Sequence, residues 1–127
     1  MHLPARPTTV APDGSDVRVL LSLDGGSMAH FTLAPGRTTV AVRHRTVEEL
    51  WYVLAGRGEL WRQADREATL VPVEPGVCVT IPVGTGFQFR AFGEEPLEIV
   101  AVTMPPWPED GTAEAIPIEG CPAWSNA

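Results

Sequence analysis

Two residues stand out for chemistry they could do together. His44 and Glu49 lie five positions apart, the first ending the β-rich run Thr38 to His44 and the second opening the run Glu49 to Leu54. An imidazole beside a carboxylate can move protons as a general acid/base pair. It can equally supply part of a metal shell, although a protein-bound divalent ion needs about three or more side-chain ligands in fixed geometry. Attraction to Glu49 would favour charged His44, and burial would oppose it. A buried histidine satisfied by Glu49 and a backbone group is the plainer alternative.

Other chemistry is thin. The chain has three histidines and no lysine, its nine basic residues all being arginine. A lysine Schiff base is therefore excluded, and a serine hydrolase triad is improbable with so few histidines. Gly84-Thr85-Gly86 is a turn and not a phosphate-cradling loop. Cys78 alternates with Val77 and Val79 and is expected to face away from the interior. With only Cys78 and Cys121, one disulfide is conceivable, but buried free thiols fit the pair better.

The elements that must position these groups are short strands. Val17–Leu21, Met28–Leu33, Thr38–His44, Glu49–Leu54, Glu59–Arg62, Ala68–Val73, Val77–Ile81, Phe87–Phe92 and Leu97–Thr103 read as strands separated by Gly, Pro and Asp turns. Thirteen prolines and twelve glycines are spread through 127 residues, and no long amphipathic helical stretch appears. The pattern is that of one all-β sandwich or barrel domain. Residues 1–16 read as an N-terminal arm, 17–104 as the barrel, and 105–127 as a tail whose Trp107 and Trp124 should pack on the barrel or on a neighbouring subunit.

Strand alternation assigns faces. Val42 and His44 share one face, as do Glu49, Trp51 and Val53, and Phe87, Phe89 and Ala91. Glu48 and Gln88 should point away from it. Phe31 and Leu33 read as the core-facing pair on their strand, which turns His30 outward. His2 lies in the arm, remote from any site.

The spacing of two segments resembles the paired motifs of the cupin superfamily. In the first, Gly36 is followed by five residues, then Val42-Arg43-His44, then Glu49, then Gly56; the family has His-x-His where this chain has Val42-x-His44. In the second, Gly76 is followed by five residues, then Pro82-Val83-Gly84, with Phe87 at the family's histidine position and Ala91 at its asparagine. The resemblance implies a double-stranded β-helix, or jelly-roll barrel. It also implies a site of three histidines and one glutamate around a divalent ion such as zinc, iron, manganese or nickel. Here only His44 and Glu49 remain as metal ligands, because Val42 and Phe87 cannot ligate.

The resulting expectation is a barrel that binds a small molecule among His44, Glu49, Val42, Trp51, Phe87 and Phe89, with a metal site that is weak or absent. The alternative is a small enzyme of isomerase, cyclase, lyase or dioxygenase type. There His44 and Glu49 would be the catalytic pair, or part of a metal shell that His30 or waters complete. A net charge of −7 argues against nucleic acid or an anionic membrane as partner. Residues 1–9 have no signal-like apolar core, and no apolar run is long enough to span a bilayer. A cytoplasmic homodimer is the expectation.

Overall fold

The computed structural model describes residues 1–108, 114–118 and 124. Among them are eleven strands and no helix. The strands are β1 (Thr9–Val10), β2 (Asp16–Leu23), β3 (Gly26–Leu33), β4 (Val42–His44), β5 (Glu48–Ala55), β6 (Arg57–Ala64), β7 (Glu67–Val73), β8 (Cys78–Ile81), β9 (Gly86–Phe92), β10 (Leu97–Met104) and β11 (Ala115–Pro117). They form two antiparallel sheets, ordered β1-β2-β3-β10-β5-β8 and β11-β4-β9-β6-β7. This is the jelly-roll arrangement that the resemblance implies, within the sandwich-or-barrel class read from strand and turn spacing. β1 and β11 lie in the segments read as arm and tail.

The core is the space between the sheets. Leu33, Trp51, Val53, Leu60, Val79, Ile81, Phe87, Phe89, Leu97, Ile99 and Ala101 are buried there. Alternation is strict on β5, where Glu49, Trp51 and Val53 are buried and Glu48, Leu50, Tyr52 and Leu54 are exposed. β10 alternates in the same way.

The run Thr38–His44 departs from the sequence reading. Only Val42–His44 is strand, and Thr38 makes an isolated bridge to Arg90. The backbone between them is held by other partners. Thr39 Oγ1 accepts from the Phe89 N–H, the Gln88 amide donates to the Thr39 carbonyl, and the Val40 N–H donates to the Asp13 carbonyl. Strong β propensity there is overridden by those tertiary bonds.

The turn glycines are needed for their geometry. Gly56 has φ +82°, and a Cβ at that position would run into the Pro96 carbonyl. Both the left-handed backbone and the close approach exclude a side chain. Gly56→Ala is expected to cost roughly 1–3 kcal/mol or more in urea unfolding. A change below about 0.5 kcal/mol, the usual span of a neutral surface substitution, would show that the β5–β6 turn relaxes freely.

Candidate functional site

The site forms where the short strand β4 meets the start of β5. Val42 sits directly across from Phe87 on β9, and His44 follows two residues later on the same inward face. The turn Arg45–Val47 brings the chain round so that Glu49 lies beside His44, with Nδ1 to Oε2 at 3.8 Å. That is too long for a hydrogen bond. His44 Nδ1 is buried and has no hydrogen-bond partner among the described residues. Glu49 is anchored instead by Trp51, whose indole N–H donates to Oε1 at 2.7 Å.

Aromatic rings enclose this pair. His44 meets Phe87 and Trp107 edge-on, each with centroids 5.2 Å apart. Trp51 in turn contacts Phe87 at 5.7 Å, Phe89 at 5.1 Å and Phe31 at 6.2 Å. The expected lining residues Val42, Trp51, Phe87 and Phe89 are thus brought together, but buried against one another. Beyond Trp107, the strap that carries it is tied down by the Trp107 N–H donating to Ser27 Oγ, which pairs with the Thr103 hydroxyl.

Two acids reach the site from distant parts of the chain, and sequence reasoning did not single them out. Glu114 precedes β11, which pairs with β4 so that Ala115 lies opposite His44. Its carboxylate accepts from the Thr46 N–H, the Thr46 hydroxyl and the Val47 N–H at 2.7–2.8 Å. It therefore clamps the turn that sets the His44–Glu49 spacing. Asp13 is buried and accepts from the Ser15 N–H and hydroxyl. The one sequence signal was Asp13-Gly-Ser15, a common local hydrogen-bonded turn; nothing local marked Glu114.

Burial shifts both members of the pair toward their uncharged forms. Burial pushes Glu49 up, the Trp51 hydrogen bond opposes it, and the charges of Asp13 and Glu114 add to the rise, to about 7. Burial lowers His44, against a smaller upward pull from Glu114. Of the two opposing effects weighed for His44, burial wins, and the attraction it outweighs comes from Glu114. Asp13 is also raised, by burial that its Ser15 hydrogen bonds only partly offset. For Glu114 burial acts upward, but the Thr46 and Val47 hydrogen bonds and His44 together hold its carboxyl low.

The donor set does not fit a divalent ion. His44 and Glu49 are two ligands, and the positions that would supply two more carry Val42 and Phe87, the latter with its ring against the imidazole. No cluster of three or more His, Cys, Asp or Glu suited to a metal occurs among the described residues. His30 cannot complete a shell. It pairs with Val100 and Arg18 and so lies on the outer face of the other sheet. It points outward, as the sequence reading had it, yet it is buried, 3.2 Å from Glu98. Gln88 is likewise outward and buried, bonded to both backbone groups of Trp124. Cys78 faces out as expected and is a free thiol, but it is exposed and not buried as the sequence suggested, because its strand β8 is an edge of the sheet; Cys121 lies outside the described residues.

Residues 29–103 match the family model described as a cupin domain. The chain belongs to the cupin family. This cupin is 30% identical over 108 residues to an uncharacterised protein of Methanocaldococcus jannaschii, an alignment that covers 81% of this chain and 83% of the relative. Among solved structures it resembles the capsular polysaccharide assembling protein CapF of Staphylococcus aureus, with TM-score 0.74, 19% identity and 88% of this chain covered. The match spans only 34% of CapF, about a third of its length. It also resembles a protein of Thermotoga maritima described as a predicted oxalate decarboxylase, with TM-score 0.66, 20% identity, and 82% and 98% of the two chains covered. At such identities these structures support the fold alone. No helix among the described residues is long and apolar enough to cross a membrane.

Proposed function

We propose that this cupin binds a small, largely apolar molecule at the end of its barrel without help from a metal, using His44 and Glu49 as its polar anchor. The observation that carries this reading is the buried His44 Nδ1, which has no partner among the described residues although Glu49 lies only 3.8 Å away. A buried polar atom left unpaired costs about 1–3 kcal/mol. A ligand with one polar group could bond His44 Nδ1 and Glu49 Oε2 together, while Phe87 and Trp107 cover its apolar part. Because the rings already touch one another, entry requires the half-buried Trp107 to move aside.

A second reading, catalysis by the same pair, is favoured by Glu49 titrating near 7. At that value a carboxyl can both give and take a proton at neutral pH, which suits isomerisation, cyclisation or elimination. A cytoplasmic location belongs to the same proposal, and the exposed thiol of Cys78 supports it.

Elemental analysis and native mass spectrometry on one sample, purified without added metal, test the binding reading. Metal well below one ion per chain and a small-molecule adduct are expected. The adduct's affinity should fall roughly 10- to 100-fold in His44→Ala, the equivalent of a hydrogen bond to a buried polar group. One tightly held ion per chain, or an adduct indifferent to His44→Ala, would sink it. For the catalytic reading, activity on an accepted substrate must fall in both His44→Ala and Glu49→Gln.

A further inference from the structure

The polar groups around His44 are short of donors. His44 Nδ1 and Glu49 Oε2 stand 3.8 Å apart, and Nδ1 has no other partner among the described residues. The two residues are 5% and 3% exposed, so bulk water does not stand in. Held at that distance and not drawn onto the carboxylate, Nδ1 stands as the acceptor nitrogen of an uncharged ring. The Trp51 indole N–H is committed to Glu49 Oε1 at 2.7 Å. Register sets Thr103 beside Glu49 and Ser27 beside Thr103. Those two hydroxyls pair with each other, and Ser27 also accepts the Trp107 N–H.

The charges that act on the pair have one sign. Asp13 and Glu114 both act on Glu49, and Glu114 acts on His44. The arginines on either side of His44, Arg43 and Arg45, are exposed, Arg43 on the outward position of β4. Buried acids ordinarily sit with a positive partner; here none reaches Glu49. Rings complete the surroundings, with Phe87 and Trp107 each 5.2 Å from the imidazole. Aromatic faces attract a cation centred within ~6 Å.

We propose that the molecule taken up at this site is an organic ammonium, a small and largely apolar amine whose N–H groups donate to His44 Nδ1 and Glu49 Oε2 while Phe87 and Trp107 lie against its carbon skeleton. This rests on the binding reading above and names the chemical class. Acceptors 3.8 Å apart can both be reached from one nitrogen at ~2.8 Å, a usual length for a charged donor. An alcohol has one hydroxyl hydrogen and serves one acceptor. A carboxylate or phosphate brings like charge to Glu49 and no donor. A divalent ion asks for more ligands than two, whereas an ammonium is satisfied by a few acceptors and by rings.

Isothermal titration of the full chain at about pH 8, where an alkylamine keeps its proton, is the test. The probes are benzylamine, benzyl alcohol, benzamide (a neutral group with two N–H donors) and benzoate. Benzylamine is expected to bind roughly 10-fold or more tighter than either neutral probe, and benzoate weakest. Glu49→Gln should bring benzylamine to within about threefold of benzyl alcohol. Asp13→Asn, which keeps an acceptor for Ser15, should weaken benzylamine roughly threefold more than benzyl alcohol, because Asp13 acts on the pair through its charge. Circular dichroism establishes that each variant is folded. A neutral probe that matches benzylamine, a benzylamine preference that survives in folded Glu49→Gln, or no benzylamine binding at ~10 mM would overturn the proposal. The binding reading is judged apart from it: neutral probes or a co-purified adduct weakened by His44→Ala keep that reading while the ammonium falls.

Discussion

A chain carrying Val42→His and Phe87→His together is expected to bind a divalent ion at one per chain, with affinity raised roughly 1,000-fold over wild type, or about 4 kcal/mol. The geometry behind this is direct. Positions 42 and 87 are cross-strand partners, position 42 shares its inward face with His44, and Glu49 lies 3.8 Å from that imidazole. Two new imidazoles would raise the donor count from two to four, the number that closes a tetrahedral shell. Removing the Phe87 ring also opens the space in which it now meets His44 and Trp51. The single variants should fall short of the pair, because three donors grip less firmly and Phe87 still fills the space when only position 42 is changed. Isothermal titration with zinc or nickel on folded protein measures the gain. A folded double variant with wild-type affinity would mean that positions 42, 44, 49 and 87 do not converge.

Glu49→Gln is expected to stabilise the protein at alkaline pH and to leave it nearly unchanged in acid. Glu49 has its pKa raised from 4.5 to about 7, first by burial. The folded state therefore holds a proton that the unfolded state releases between those values. Stability is full below 4.5, declines as pH rises toward 7, and is flat beyond. The shift corresponds to about 3 kcal/mol lost across that window. Glutamine keeps the acceptor for the Trp51 indole and carries no charge to desolvate, so the decline should vanish with it. Glu114 acts oppositely and elsewhere: its lowered pKa gives stability that is lost as pH falls below 4.5. Urea unfolding at pH 4, 6 and 8.5 separates the two. Parallel curves for wild type and Glu49→Gln would show that Glu49 meets enough water or partner groups to ionise normally. A residual decline in the variant points to Asp13, which burial also raises.

Much of the barrel was written locally. Gly36, Gly56, Gly76 and Gly84 all adopt positive φ, which glycine tolerates and other residues rarely do. Their spacing was therefore a readable record of where the chain turns. Alternation did the same for facing: Val42, His44, Glu49, Trp51, Phe87 and Phe89 are all inward and buried. The loss of two ligands was equally plain, since Val42 and Phe87 carry no donor atom.

What alternation could not convey was burial on the outer faces. His30 and Gln88 both point out of the barrel and are both buried, Gln88 because the tail returns over it. Facing follows from two neighbouring residues; covering depends on segments far along the chain. The same holds for Asp13 and Glu114, the latter bonding a turn 68 residues earlier in the sequence. It holds too for Thr38–Ala41, where distant bonds displaced a locally favoured strand.

Residue identities and short spacings thus determined the strand count to within the terminal additions, the turns, the inward set and the depleted donor pair. Each depends on backbone geometry over a few residues. Only the folded chain decided that burial raises Glu49 and lowers His44, that Glu114 holds their turn, and that the outward-facing His30 and Gln88 are covered. Those properties are set by desolvation and by contacts between remote segments, and neither exists until the chain has closed on itself.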